Sequence, residues 1–101
     1  MAAFVDDVEV SEHLADILKA LANPARLRIV AVLCESGENV SALAARLGLE
    51  PAIVSQQLRI LRMSGLVAAS RSEGFAVYRL AQPRLKELVR CLEKCPPASG
   101  C

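Results

Sequence analysis

Between Ser41 and Ser64 the chain reads as two helices separated only by Gly48-Leu49-Glu50, and a connection that short permits few arrangements. Ser41 can cap a helix through Leu47, and Gly48 can end it in the left-handed conformation. Pro51 opens the next helix at its first turn, where a missing N–H costs nothing. That helix runs to about Ser64, and Gly65 closes it. Two helices joined in this way form a helix-turn-helix unit.

The flanking segments extend the pattern. Residues 1–10 read as a mobile lead-in, and Ser11-Glu12 as the cap of a first helix with Leu14, Ile17, Leu18 and Leu21 on one stripe. Asn23-Pro24 ends that helix and starts a second, roughly over 24–36, which stops near Gly37. After Gly65 the period changes from helix to strand. Leu66, Val67 and Ala69, then Phe75, Val77, Tyr78 and Leu80, form two short strands around a Ser72-Glu73-Gly74 tip. Residues 83–95 return to helical spacing, and Pro96-Pro97 stops that helix. The expected fold is mainly α with one small β-hairpin, in the order ααααββα: a winged helix-turn-helix domain over residues 11–95 with a flexible tail at 96–101.

At 101 residues the chain suits one domain. Hydrophobic residues make up 53% but aromatics only 3%, so its core must be filled by interdigitating aliphatic side chains. No apolar run approaches the ~18 residues needed to span a bilayer, and the acidic start is unlike a signal peptide, which makes cytoplasm the expected compartment. The net charge of +1 conceals an asymmetry. Asp6, Asp7, Glu9, Glu12 and Asp16 face Lys19 alone in residues 1–22, whereas residues 51–72 carry Arg59, Arg62, Arg71 and no acid. A polyanion would avoid the first region and accept the second.

At about 100° per residue, Ala52, Ser55, Gln56, Arg59, Arg62 and Met63 share one arc of the fourth helix, opposite Val54, Leu58 and Leu61. Small residues on the exposed arc allow close approach to a major groove. Gln56 can pair with a base edge and Arg59 with guanine or phosphate. Gln57 points toward the apolar arc, which favours a semi-buried role bonding to backbone or phosphate. A hairpin following such a helix can lie along the adjacent backbone, with Arg71 against phosphate. The alternative to all this is an ordinary amphipathic surface helix in a dimeric interaction module.

The runs LADILKALANPARLRIVAVL, VSALAARLGLEPAIVSQQLRILRMSGLV and the hairpin ending VYRL resemble the ArsR/SmtB family of bacterial repressors over about residues 12–92. The resemblance implies a winged-helix homodimer joined through its first and last helices, repressing a promoter until an effector binds. It also implies DNA contacts at Ser55, Gln56, Gln57 and Arg59, and a wing at Arg71–Phe75 that includes Gly74. Phe75 beside the tip departs from the basic wings common in the family, which implies weaker minor-groove contacts. Independently, the apolar stripes of the first and last helices exceed what one small domain covers. A twofold dimer would set its recognition helices ~34 Å apart, matching an inverted-repeat operator of double-stranded DNA.

Cys91, Cys95 and Cys101 crowd the C-terminus, and Cys34 stands apart. Cys91 and Cys95 lie one helical turn apart, and Cys101 can fold back toward them. Three thiolates suit a three-coordinate soft ion such as As(III) or Sb(III). Zn(II) fits less well because it wants a fourth ligand, for which His13 across a dimer is the one histidine present. Family arsenic sensors with cysteines at the third helix differ here, where Glu38-Asn39-Val40-Ser41 stands. Zinc, cobalt and nickel sensors with Asp and His on the last helix differ as well. Members with cysteines at the end of that helix match the Cys91, Cys95 and Cys101 arrangement. A second reading pairs Cys34 with Cys91 or Cys95 as a sensor of oxidant or persulfide, and a third makes Cys34 and Cys91 small buried hydrophobes. With no phosphate loop, CxxC pair or paired catalytic carboxylates, an enzyme is not expected.

Overall fold

The computed structural model describes residues 4–97, which form five helices and one hairpin. Helix α1 spans Val8–Leu21, α2 Pro24–Leu33, α3 Val40–Leu47 and α4 Pro51–Met63; strands β1 (Val67–Ser72) and β2 (Phe75–Leu80) precede α5 (Leu85–Glu93). The order is the ααααββα of a winged helix-turn-helix.

Helix α1 begins earlier than Ser11. The Asp7 carboxylate accepts the Val10 N–H at 3.1 Å and caps the helix, while the Ser11 hydroxyl lies inside the first turn, 2.9 Å from the Asp7 carbonyl. Leu18 on the expected stripe is 56% exposed, whereas Ala20 and Leu21 are buried in the protomer's own core and Ile17 packs against it. Asn23 caps α2 through the Arg26 N–H at 3.1 Å, with Pro24 at the first position.

Helix α2 ends at Leu33 rather than near residue 36, because the chain must turn to meet the hairpin. Glu38 and Tyr78 exchange backbone hydrogen bonds of 2.9 and 2.8 Å. Gly37 suits that approach: a Cβ there would sit 3.1 Å from Val77 Cγ1 and 3.2 Å from the Tyr78 carbonyl oxygen, tight contacts that would make the hairpin give by a few tenths of an ångström. Helix α3 is capped by Asn39, not Ser41, through the Ala42 N–H at 2.8 Å. Gly48 ends it at φ 66°. Helix α5 is shorter at both ends than the expected 83–95.

The core is aliphatic. Ile29 and Val30 of α2, Leu43 of α3, Val54, Leu58 and Leu61 of α4, and Leu66 beyond it are fully buried. No polar or charged residue is fully buried among the described residues, so aliphatic packing fills the interior. The hairpin pairs antiparallel from Val67 opposite Leu80 to Ser72 opposite Phe75. Its turn is Glu73-Gly74, with Ser72 in the strand and φ of 52° and 85° at the two turn residues. Positive φ at both positions matches strand twist, and Gly74 supplies the second without strain.

Candidate nucleic-acid interface

The burial of Val54, Leu58 and Leu61 rotates the other side of α4 into solvent. Ala52, Ser55, Gln56, Arg59, Arg62 and Met63 are all exposed there, Met63 at 82%. Arg59 and Arg62 have no ion-pair partner among the described residues, whereas Arg46 pairs with Glu35 at 2.9 Å. The exposed arc therefore presents an amide, a hydroxyl and two free cations.

Gln57 is half-buried, and its side-chain carbonyl accepts a hydrogen bond of 2.8 Å from Arg26 Nη1. Arg26 Nε donates to the Ala20 carbonyl at the end of α1. One guanidinium thus links α1, α2 and α4. Reading the sequence missed Arg26; the signal was Gln57 itself, an amide aimed inward that needs a partner.

On the wing, Arg71 Nη1 donates to the Gly74 carbonyl at 3.2 Å, which folds its guanidinium over the turn and leaves other N–H groups outward. Arg79 on β2, also missed, is exposed and donates to Ser70 Oγ at 3.1 Å. Phe75 is 63% exposed beside the turn.

The thiols fall into two environments. Cys34 is half-buried at the end of α2, and burial pushes its pKa up, with Lys86 opposing the rise. It shares a cavity of ≈ 190 Å³ with Lys86, Val89, Arg90 and Glu93, one arc of α5. Cys91 lies on a different side of α5, about 100° of turn beyond Arg90. Cys91 and Cys95 are exposed, and the Cys95 thiol lies 3.6 Å from the Cys91 carbonyl as a weak donor. Cys101 lies outside the described residues. Among the described residues, no three His, Cys, Asp or Glu side chains converge as a metal site. In the reduced protein, Cys91 and Cys95 are expected to react with iodoacetamide well before Cys34 at pH 7.5, read by peptide mass mapping, because the thiolate is the nucleophile.

Residues 23–69 match the model of the arsR family of bacterial regulatory proteins. The chain is 41% identical over 81 residues to the Mycobacterium tuberculosis HTH-type transcriptional regulator Rv0081, covering 79% of this chain and 71% of that protein. It is 35% identical over 82 residues to the biofilm growth-associated repressor of Xylella fastidiosa, covering 81% and 72%. The chain belongs to the ArsR family. Among solved structures it resembles the homodimeric winged helix-turn-helix domain of Mb0332 from Mycobacterium bovis, with a TM-score of 0.78, 31% identity and coverage of 92% of this chain and 87% of that one.

Members of the ArsR family are homodimeric DNA-binding regulators rather than enzymes. This member carries a surface for each task. Val8, Val10 and Leu18 of α1 and Leu92 of α5 are exposed apolar side chains. A cleft of ≈ 460 Å³ beside these helices is lined by Leu14, Ile17 and Leu88, with the buried Leu85 at its floor, and partly buried apolar side chains of this kind suit a homodimer contact. No helix of the described residues is long and apolar enough to cross a membrane.

Proposed function

We propose that this ArsR-family regulator is a cytoplasmic repressor that binds an inverted-repeat operator as a dimer and is released by As(III) or Sb(III) at Cys91, Cys95 and Cys101. Ser55, Gln56 and Arg59 of α4 meet the DNA, the Gln57 amide nitrogen reaches toward phosphate, and Arg71 and Gly74 carry the wing. The Xylella relative named as a repressor supports the sign of regulation.

The observation that carries the effector reading is the position of Cys91 and Cys95. Both are exposed, Cys91 in the last turn of α5 and Cys95 two residues beyond its end, next to the exposed Leu92 of that helix. Exposed soft sulfur ligands, the only hydrogen bond of the Cys95 thiol among the described residues being its weak one to the Cys91 carbonyl, suit a thiophilic ion, and three of them satisfy a trivalent one. An ion gathered there would act on the dimer surface, where a preference of ~1–3 kcal/mol for one arrangement shifts DNA affinity. Zinc has less support. His13 lines the cleft beside Arg84, Leu85 and Leu88 at the opposite end of α5 from these thiols, so it would have to come from the partner. Redox pairing of Cys34 with Cys91 within one protomer is also disfavoured, because Cys34 faces the Lys86, Val89, Arg90 and Glu93 arc.

Fluorescence anisotropy of the reduced protein on its promoter, titrated with arsenite, tests this reading. Release at about one arsenic per protomer is expected, and Cys95→Ser is expected to abolish it while leaving DNA binding intact. DNA binding unmoved by arsenite would end the metalloid reading and leave the repressor in place.

A further inference from the structure

The exposed face of α4 and strand β2 enclose an open cleft of ≈ 410 Å³ lined by Ser55, Arg59, Arg62, Met63 and Tyr78. Four of these five side chains end in hydrogen-bond donors, two hydroxyls and two guanidiniums, and none is a carboxylate. The Arg59 and Arg62 guanidiniums and the Ser55 and Tyr78 hydroxyls have no hydrogen-bond partner among the described residues. Tyr78 is nonetheless held firmly: its backbone pairs with Glu38 on one side and Ala69 on the other, and its half-buried ring packs on the core. Its hydroxyl is thus carried on a fixed element into the cleft that two exposed cations also line. The cleft between α1 and α4 differs, because Asp16 stands there with Lys19 and Arg26.

A concave site with several donors and no acceptor of charge matches one tetrahedral anion with several oxygens. Its place beside the face that carries Gln56 selects a backbone phosphate over a free one. We propose that the α4–β2 cleft seats one operator phosphate, held by Arg59, Arg62 and the Tyr78 hydroxyl, and so sets the register of α4 on the duplex. This rests on the reading of α4 as the DNA-facing helix. It makes Arg59 a phosphate contact, leaves base reading to Gln56 with Ser55, and gives Tyr78 and Arg62 roles in binding but not in sequence choice.

The test uses the full-length reduced dimer with its promoter duplex. Arg62→Gln is expected to weaken binding about tenfold, equally on the operator and on single-base variants, and to lower the slope of log K against log salt by about one. Tyr78→Phe removes one neutral hydroxyl and is expected to cost about threefold with the slope unchanged. Duplexes carrying a single methylphosphonate at successive positions then locate the phosphate. At one position per half-site the wild type is expected to lose about tenfold while Arg62→Gln loses little more. Losses that add at every position, variants that bind like the wild type, or a changed base preference would each overturn the phosphate seat while leaving DNA binding intact. Failure of the wild type to prefer its promoter over a scrambled duplex would overturn both.

Discussion

Leu58→Ala is expected to destabilise the protein by about 2–5 kcal/mol, the range for emptying a well-packed leucine site. Leu58 is fully buried and lies on α4 between Gln57 and Arg59, so its side chain anchors the helix whose other side is exposed. It packs with Val54 and Leu61 in a core that buries no polar group. The loss comes from removed contacts and from a cavity that the surrounding aliphatic residues only partly fill. Against the ~5–15 kcal/mol typical of small domains, that is a large share of the total. Urea unfolding at fixed protomer concentration, needed because dimerisation adds to stability, measures it. Met63→Ala, at an 82% exposed position of the same helix, is the control and should leave the midpoint within error. Equal midpoints for Leu58→Ala and wild type would contradict the packing assigned to α4.

The second large effect is expected at Arg26. Arg26→Ala leaves the Gln57 carbonyl and the Ala20 carbonyl without their donor. Ala20 is 6% exposed and Gln57 half-buried, so water replaces the lost bonds poorly. A loss of about 1–3 kcal/mol is expected, the cost of a buried group left unsatisfied. Gln57→Leu should cost less than Gln57→Ala, because leucine fills the space without a polar atom. In a double-mutant cycle, Arg26→Ala with Gln57→Leu should fall short of the sum by at least about 0.5 kcal/mol. Strict additivity would show that the two side chains act independently. Because the guanidinium joins the end of α1 to the middle of α4, the same pair holds the dimer helix and the recognition helix in a fixed relation.

These two predictions sit on either side of what a reader of the sequence can see. Leu58 was visible as core because α4 is punctuated by Gly48, Pro51 and Gly65 and its apolar positions follow one arc. The same arithmetic placed Ser55, Gln56, Arg59 and Arg62 together on the exposed side. Arg26 was invisible as a linker, because its partner lies 31 residues away. Gln57 announced only that some partner was needed.

Other differences have the same character. The end of α2 depends on Glu38 meeting Tyr78, a pairing across the fold that leaves no local signal except Gly37. The start of α1 was placed at Ser11, too late, because the cap is Asp7, whose carboxylate faces the Val10 N–H. Leu18 was assigned by periodicity to the same stripe as Leu21, yet periodicity cannot divide a stripe between a protomer's own core and a second copy. For the thiols, spacing placed Cys91 and Cys95 together, but the direction Cys34 faces came only from the packing of α2 against α5.

The measurement that bears most directly on the whole account is the affinity of the reduced protein for its promoter duplex and for a scrambled one of equal length, across a range of salt. The expected result is one dimer per inverted repeat, tighter binding to the promoter, and a steep fall in affinity with salt as phosphate contacts release counterions. Equal, salt-insensitive affinity for both duplexes would contradict a regulator that meets DNA through α4 and the wing.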